Sequence, residues 1–133
     1  MTRFLLDTDA FLLLGFGLGQ VSASTRLAVR AGQRLVSHVS AIEIGIKHSI
    51  GKLPLPPVFD TSFEHGFSMT ARELSADVLP IKLEHAAVLA RLPLHHRDPF
   101  DRLLIAQAVT ERLTIVTRDR KFSLYPGLNL LEL

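Results

Sequence analysis

Two aspartates open a single helix in the run His96-Arg97-Asp98-Pro99-Phe100-Asp101-Arg102. Proline suits the first helical position, where its missing N–H would have no intrahelical partner, so Asp98 falls at the N-cap and Asp101 at the third helical position. The apolar run Leu103-Leu104-Ile105-Ala106 behind them buries the helix and leaves the acids at its mouth. Three more acids stand at comparable places. Asp7 ends the stretch Phe4-Leu5-Leu6, Asp119 follows Ile115-Val116-Thr117-Arg118, and Glu43 closes Ser40-Ala41-Ile42-Glu43, a capping-box pattern. Carboxylates gathered in one place repel one another and resist desolvation, so such a site is stable mainly when a cation neutralises it. Oxygen ligands favour magnesium or manganese over zinc, and such an ion polarises a phosphodiester and activates a water. The chemistry that follows is phosphodiester hydrolysis.

Each acid also has a purely local account. Asp98 could only cap its helix, Glu43 could only close its capping box, Asp119 could be a turn residue, and Asp101 could only favour the helix dipole. Asp7 is harder to explain this way, because a carboxylate directly after a buried strand rarely serves packing. Taken together, these accounts would require several capping acids to gather by chance. Arg97, Arg102, Arg118, Arg120 and Lys121 flank the acids and could line a path for a phosphate backbone, or could only form a solvated charged face. His95 and His96 lie beside them. No His-x-x-x-His spacing exists in the chain, so these histidines are expected at the surface or in supporting roles, and zinc is discounted.

The elements that must position these side chains follow in order. Residues 2–6 predict a short buried strand, and the apolar run 10–16 is broken by Gly15, Gly17 and Gly19. Ser22 or Ser24 caps a helix reaching Ala31, where Gly32 stops it. A second strand is expected over 34–39, and a helix from the Ser40 capping box to Gly51. Leu53-Pro54-Leu55-Pro56-Pro57 is a rigid connector. Residues 61–76 predict a helix, and 77–81 a strand that Pro80 pushes to a sheet edge. A short helix over 83–92 ends at Pro93 before the two-acid helix begins. The β-branched run 113–117 and the segment 128–131 supply the last strands. Alternating strands and helices imply an α/β layer with a mainly parallel sheet, whose binding crevice lies at the strands' carboxyl ends. That rule gathers Asp7, Glu43, Asp98, Asp101 and Asp119 on one edge.

Composition sets further bounds. The 133 residues suit a single domain, 1–133, with a real core. Hydrophobic residues make up 47% and charged ones 21%, with a mean hydropathy of +0.27, which implies apolar surface covered by another chain. The net charge of +2 does not by itself announce nucleic-acid binding. The absence of cysteine excludes thiol catalysis, disulfides and cysteine-ligated zinc. The apolar run after Asp9 is too short to span a bilayer, so no membrane association and a cytoplasmic location are expected.

With these residues in place, the sequence resembles the PIN-domain family, and within it the VapC-type ribonuclease toxins of bacterial toxin–antitoxin pairs. The carriers are Leu5-Leu6-Asp7-Thr8-Asp9-Ala10, Ser40-Ala41-Ile42-Glu43-Ile44-Gly45-Ile46-Lys47, Gly51-Lys52-Leu53, the long run from His96 to Ala108, and Val116-Thr117-Arg118-Asp119. The resemblance implies a three-layer α/β/α sandwich and an acidic pocket binding Mg2+ or Mn2+. It maps the family's acidic quartet onto Asp7, Glu43, Asp101 and Asp119, with Asp98 as an accessory acid. It also implies an RNA substrate, a homodimer and a cognate VapB-type antitoxin whose tail occupies the groove near the acids. Two positions depart from the pattern. Asp9 stands where related toxins often have histidine, a change bearing on metal affinity or substrate choice, and Ile42 replaces a common aromatic residue, a change bearing on packing. Two other classes compete. The strand followed by Asp7-Thr8-Asp9 fits a haloacid-dehalogenase-like phosphohydrolase, but Phe11 stands where that family has threonine or valine. A receiver-like signalling module would need an acid after the third strand and a lysine after the last, where Ile81 and Leu131 stand.

Overall fold

Successive side chains of a strand point to opposite faces, and the short strands here are apolar on both. In strand β1, Arg3–Leu6, Phe4 and Leu6 join one apolar cluster and Leu5 the other. Strand β2, Gln33–Ser37, divides Val36 and Leu35 in the same way, and strand β4, Thr114–Thr117, divides Val116 and Ile115. Strands buried on both faces require helices on both, which is what the computed structural model shows over all residues 1–133.

The remaining elements are helix α1, Thr8–Phe16; α2, Ala23–Ala31; α3, His38–Ser49; α4, Phe63–Glu73; strand β3, Ala76–Leu79; helix α5, Leu83–Arg91; α6, Pro99–Glu111; and strand β5, Leu130–Glu132. Two 3-10 turns cover Pro57–Phe59 and Arg120–Leu124. The five strands form one sheet in the order β3-β2-β1-β4-β5, every pair parallel. One face is covered by α1, α2 and α4, which bring Phe11, Val29 and Phe67 to a core that also holds Phe59. The other is covered by α6, through Leu104, Ile105 and Ala108, together with Phe122 and Tyr125. Helix α3 serves both, with Ile44 on one side and Val39 on the other. The result is the expected three-layer α/β/α sandwich with a parallel sheet.

Several boundaries differ from those expected. Ser37, not Ser40, caps α3, by accepting a hydrogen bond from the Val39 N–H. Strand β2 therefore ends at Ser37, and residues 38 and 39 belong to the helix. Ser40 is buried inside α3, where it accepts a hydrogen bond from the Thr8 hydroxyl at 3.0 Å. The Ser40/Glu43 capping box does not exist, and Glu43 lies in the second turn. The run after Asp7 forms α1, which Gly15 does not interrupt. The helix ends instead at Gly17, whose φ of 66° is the left-handed region that glycine adopts freely. Strand β3 lies at the sheet edge with Pro80 just beyond it, as expected, and Ser22 is the cap of α2.

The strand order reverses beside β1, whose neighbours are β2 and β4. In a doubly wound sheet, connections leave such a point in opposite directions and open a crevice at the strands' carboxyl ends.

Candidate active site

Asp7 follows β1 at that crevice. Its carboxylate caps α1, accepting the Ala10 N–H at 2.7 Å, and its own N–H donates to Val116 O at 3.1 Å, continuing the sheet. Asp119 follows the neighbouring strand β4, where its Oδ1 accepts the Lys121 N–H at 2.9 Å and its N–H donates to the Thr117 hydroxyl. Helix α6 supplies Asp98 and Asp101. Asp98 is the N-cap expected from the Asp-Pro pair, accepting from the N–H groups of Phe100 at 2.9 Å and Asp101 at 3.4 Å. Asp101 sits in the first turn and points into the same space. Helix α3 delivers Glu43 from its interior, so its placement is a matter of helix phase rather than capping. The crevice has a volume of about 330 Å³, and all five acids line it together with Asp9.

Charge in this space is poorly compensated. Glu43 is buried. Its Oε2 pairs with Lys47 Nζ at 2.8 Å, one helical turn on, while its Oε1 has no hydrogen-bond partner. That pairing, more than any other cause, raises the Lys47 ammonium above its ordinary value. Burial raises the Asp7 carboxyl from 3.8 to about 6, against the Thr117 hydroxyl and the Ala10 N–H, which lower it. Asp101 rises from 3.8 to about 8, chiefly through burial and then through the nearby charges of Asp98, Asp7, Glu43 and Asp119. Burial would also raise Asp119, but the Lys121 N–H and His96 outweigh it and hold that carboxyl low. The pocket therefore holds two carboxyls that resist ionisation and one buried carboxylate oxygen without a partner. A cation coordinated by oxygen would relieve all three, and the donor set of Asp7, Glu43, Asp101 and Asp119 fits a hard divalent ion.

The flanking residues divide. Arg118 is exposed and forms a bidentate pair with Asp9 at the rim, so the departure at position 9 creates an ion pair there. Arg120 and Lys121 are exposed beside Asp119. Arg97 is exposed on a groove that continues from the crevice past Lys47, Lys52, Ile46 and Ile50. Arg102 turns away, because its guanidinium donates to the carbonyls of Pro93 and Leu92 and to the Tyr125 hydroxyl. It fastens the loop ahead of α6.

His95 is exposed and packs on Tyr125, but His96 is buried and reaches the pocket. Its Nε2 lies 2.9 Å from Asp119 Oδ2 and 3.1 Å from Asp101 Oδ2. The sequence admits a supporting role for His96 but does not tie it to the acid cluster, since it is one of two adjacent histidines in a basic stretch. Nor does the sequence mark Lys47 for the pocket, although its i,i+4 spacing from Glu43 is readable. The competing phosphohydrolase reading finds Asp9 bound to Arg118 and Phe11 wholly buried in the core. The receiver-like reading finds Pro80 after β3 and Leu133 after β5.

A family model for the PIN domain matches residues 4–128. Among solved structures, a chain of the Rickettsia felis VapBC2 complex, bound to a DNA fragment from its promoter, superposes with a TM-score of 0.71 at 14% identity. It covers 99% of both chains. A chain of VapBC-1 from nontypeable Haemophilus influenzae gives 0.67 at 12% identity, covering 98% of each chain. One from a toxin–antitoxin complex of Klebsiella pneumoniae gives 0.60 at 20% identity, covering 96% of this chain and 94% of that one. Comparison with curated proteins gives no significant match. With the family model spanning nearly its whole length, the chain belongs to the PIN domain family.

Proposed function

We propose that this chain is a divalent-cation-dependent endoribonuclease and the toxin of a toxin–antitoxin pair, folded as one domain over residues 1–133. The observation that carries the nuclease reading is the unpartnered buried Glu43 Oε1, set among carboxyls that burial keeps from ionising. Asp7, Glu43, Asp101 and Asp119 would hold Mg2+ or Mn2+. When bound, such an ion supplies Lewis acidity, polarising the phosphodiester and lowering the pKa of an attacking water. Asp7 and Asp101 present their oxygens from fixed helix starts, so little reorganisation is needed on binding. Water attacks phosphorus, the P–O ester bond breaks, and the leaving oxygen takes up a proton. Arg97, Arg118, Arg120 and Lys121 surround the crevice with positive charge, a surface suited to an RNA backbone.

The partner reading is supported by apolar surface beside the pocket. Ile42, Ile46 and Ile50 are 49%, 46% and 60% exposed along α3 and its cap, next to the groove that carries Lys47, Lys52 and Arg97. A VapB-type antitoxin covering this groove would bury the row and shield the acids. Leu83 and Leu94, at 89% and 74% exposure, offer further apolar surface to a second copy in a homodimer. No helix is long and apolar enough to cross a membrane, and a cytoplasmic location suits an RNA substrate.

The test is cleavage of RNA by the purified chain, free of any partner, with Mg2+ or Mn2+. Asp7→Asn and Asp101→Asn should each lower the rate by about a hundredfold or more, since even residues that only support metal ligands cost 10–100-fold. Wild-type protein that leaves RNA intact with either ion, or variants that cut normally, would refute the mechanism. Growth arrest on expression alone, relieved by the neighbouring gene, tests the toxin reading.

A further inference from the structure

His96 is buried, yet it is neither one of the four acids nor part of the basic rim. Its surroundings fix both the position of its ring and the placement of its protons. The ring packs edge-on against Phe122 at a centroid distance of 5.7 Å. Its backbone N–H donates to the Tyr125 hydroxyl at 3.1 Å, and that hydroxyl donates to Pro93 O at 2.9 Å and accepts from Arg102. The Asp98 backbone N–H donates to His96 Nδ1 at 3.2 Å, so Nδ1 is an acceptor and the ring hydrogen lies on Nε2. That Nε2 hydrogen-bonds Asp119 Oδ2 after β4 at 2.9 Å, and Asp101 Oδ2 on α6 lies 3.1 Å from the same atom, in contact with it but off the hydrogen-bond axis.

We propose that His96 is a positioning residue of the acidic pocket, its Nε2–H donating to Asp119 Oδ2 while the same ring edge stands against Asp101 Oδ2, so that both acids are held in place for a divalent cation. The inference rests on the functional reading above and adds a residue to it. The ring edge against Asp101 Oδ2 limits how that carboxyl can turn. Asp119 is fixed more tightly, because its other oxygen already accepts from Lys121. Without His96, the two carboxyl groups, on different elements, would be free to turn apart, and the pocket would lose its preorganisation. The Asp98-Pro99 start thus acts twice, capping α6 with the Asp98 side chain and setting the His96 tautomer with its N–H.

Mn2+ binding to the isolated chain, measured by calorimetry, tests this in wild type, His96→Leu and His96→Gln. Leucine keeps bulk without a donor, whereas the glutamine amide can place an N–H near the position of Nε2. The expected result is affinity lowered about tenfold in H96L and restored to within about threefold of wild type in H96Q. The melting temperature of cation-free H96Q should match that of H96L, so that rescue of affinity is separated from rescue of stability. Nitrogen-15 spectra of the cation-free wild type should show hydrogen on Nε2 and none on Nδ1. Should H96L fail to fold, these spectra and the H96Q affinity decide. Unchanged affinity in H96L, affinity in H96Q more than about tenfold below wild type, or hydrogen on Nδ1 would each overturn the inference alone. Wild-type protein that binds no Mn2+ would overturn the functional reading and this inference with it.

Discussion

Asp7 and Asp101 link the pocket's chemistry to the chain's stability. Both carboxyls titrate above their ordinary 3.8, at about 6 and about 8, so the folded chain binds more protons than the unfolded one across that interval. Their contribution to stability is complete below about pH 4 and is lost as pH rises through the folded values. In cation-free buffer the melting temperature should therefore fall between about pH 4 and pH 8. Asp101→Asn should flatten much of that fall, and added Mg2+ should offset it by binding only the folded state. Thermal melts across this range check all three. A flat wild-type profile would mean that the two carboxyls are solvated rather than buried. Asp119, held low by Lys121 N–H and His96, works in the opposite sense, its stabilisation disappearing in acid as it becomes protonated.

At the scale of elements, helix starts do much of the positioning, but they do so for different reasons. Asp98 accepts two backbone N–H groups, and Asp98→Ala should cost about 1 kcal/mol, lowering the melting temperature by roughly 4 °C. Cleavage should fall far less than in Asp101→Asn. A severe loss of activity at an unchanged melting temperature would instead make Asp98 a ligand. The two-acid helix was legible because proline restricts its own position so strongly that the residues around it fall into place. Helix α3 was not legible in the same way. Ser37 and Ser40 are both competent caps three residues apart, and a sequence does not say which one ends the strand. Burial decided it, since Val36 and Leu35 face two cores while Ser40 meets the Thr8 hydroxyl inside the fold. The local account of Glu43 as the closing half of a capping box therefore fails, and with it the expectation that this acid stands in a first helical turn. It reaches the pocket because it lies one turn before Lys47 on the buried side of α3. Helix α1 was obscured by its glycines. It is apolar nearly all round, so no amphipathic period marks it, and Gly15 reads as a breaker where it is only a close approach to Thr70.

Across the whole molecule, acids lie at the centre of the crevice and cations around it, within a net charge of only +2. Such a distribution draws a polyanion to the rim without letting it neutralise the centre, and the contribution of each rim cation is readable from salt dependence. Binding of a single-stranded RNA to the Asp101→Asn protein should weaken linearly in log-log form with salt, each phosphate contact adding about 0.7 to the slope. Arg120→Ala and Lys121→Ala should each reduce the slope by about that amount, because both side chains are exposed beside Asp119. Arg118→Ala should do less, since its guanidinium is already engaged with Asp9. Arg102→Ala should leave the slope unchanged and lower the melting temperature instead, because that guanidinium holds the loop before α6 through Pro93 and Tyr125. Fluorescence anisotropy over a salt series, paired with melts, separates the four. If the Arg120 and Lys121 variants keep the full slope of the Asp101→Asn protein, the nucleic acid does not run past β4, and the groove along Lys47, Lys52 and Arg97 becomes its path.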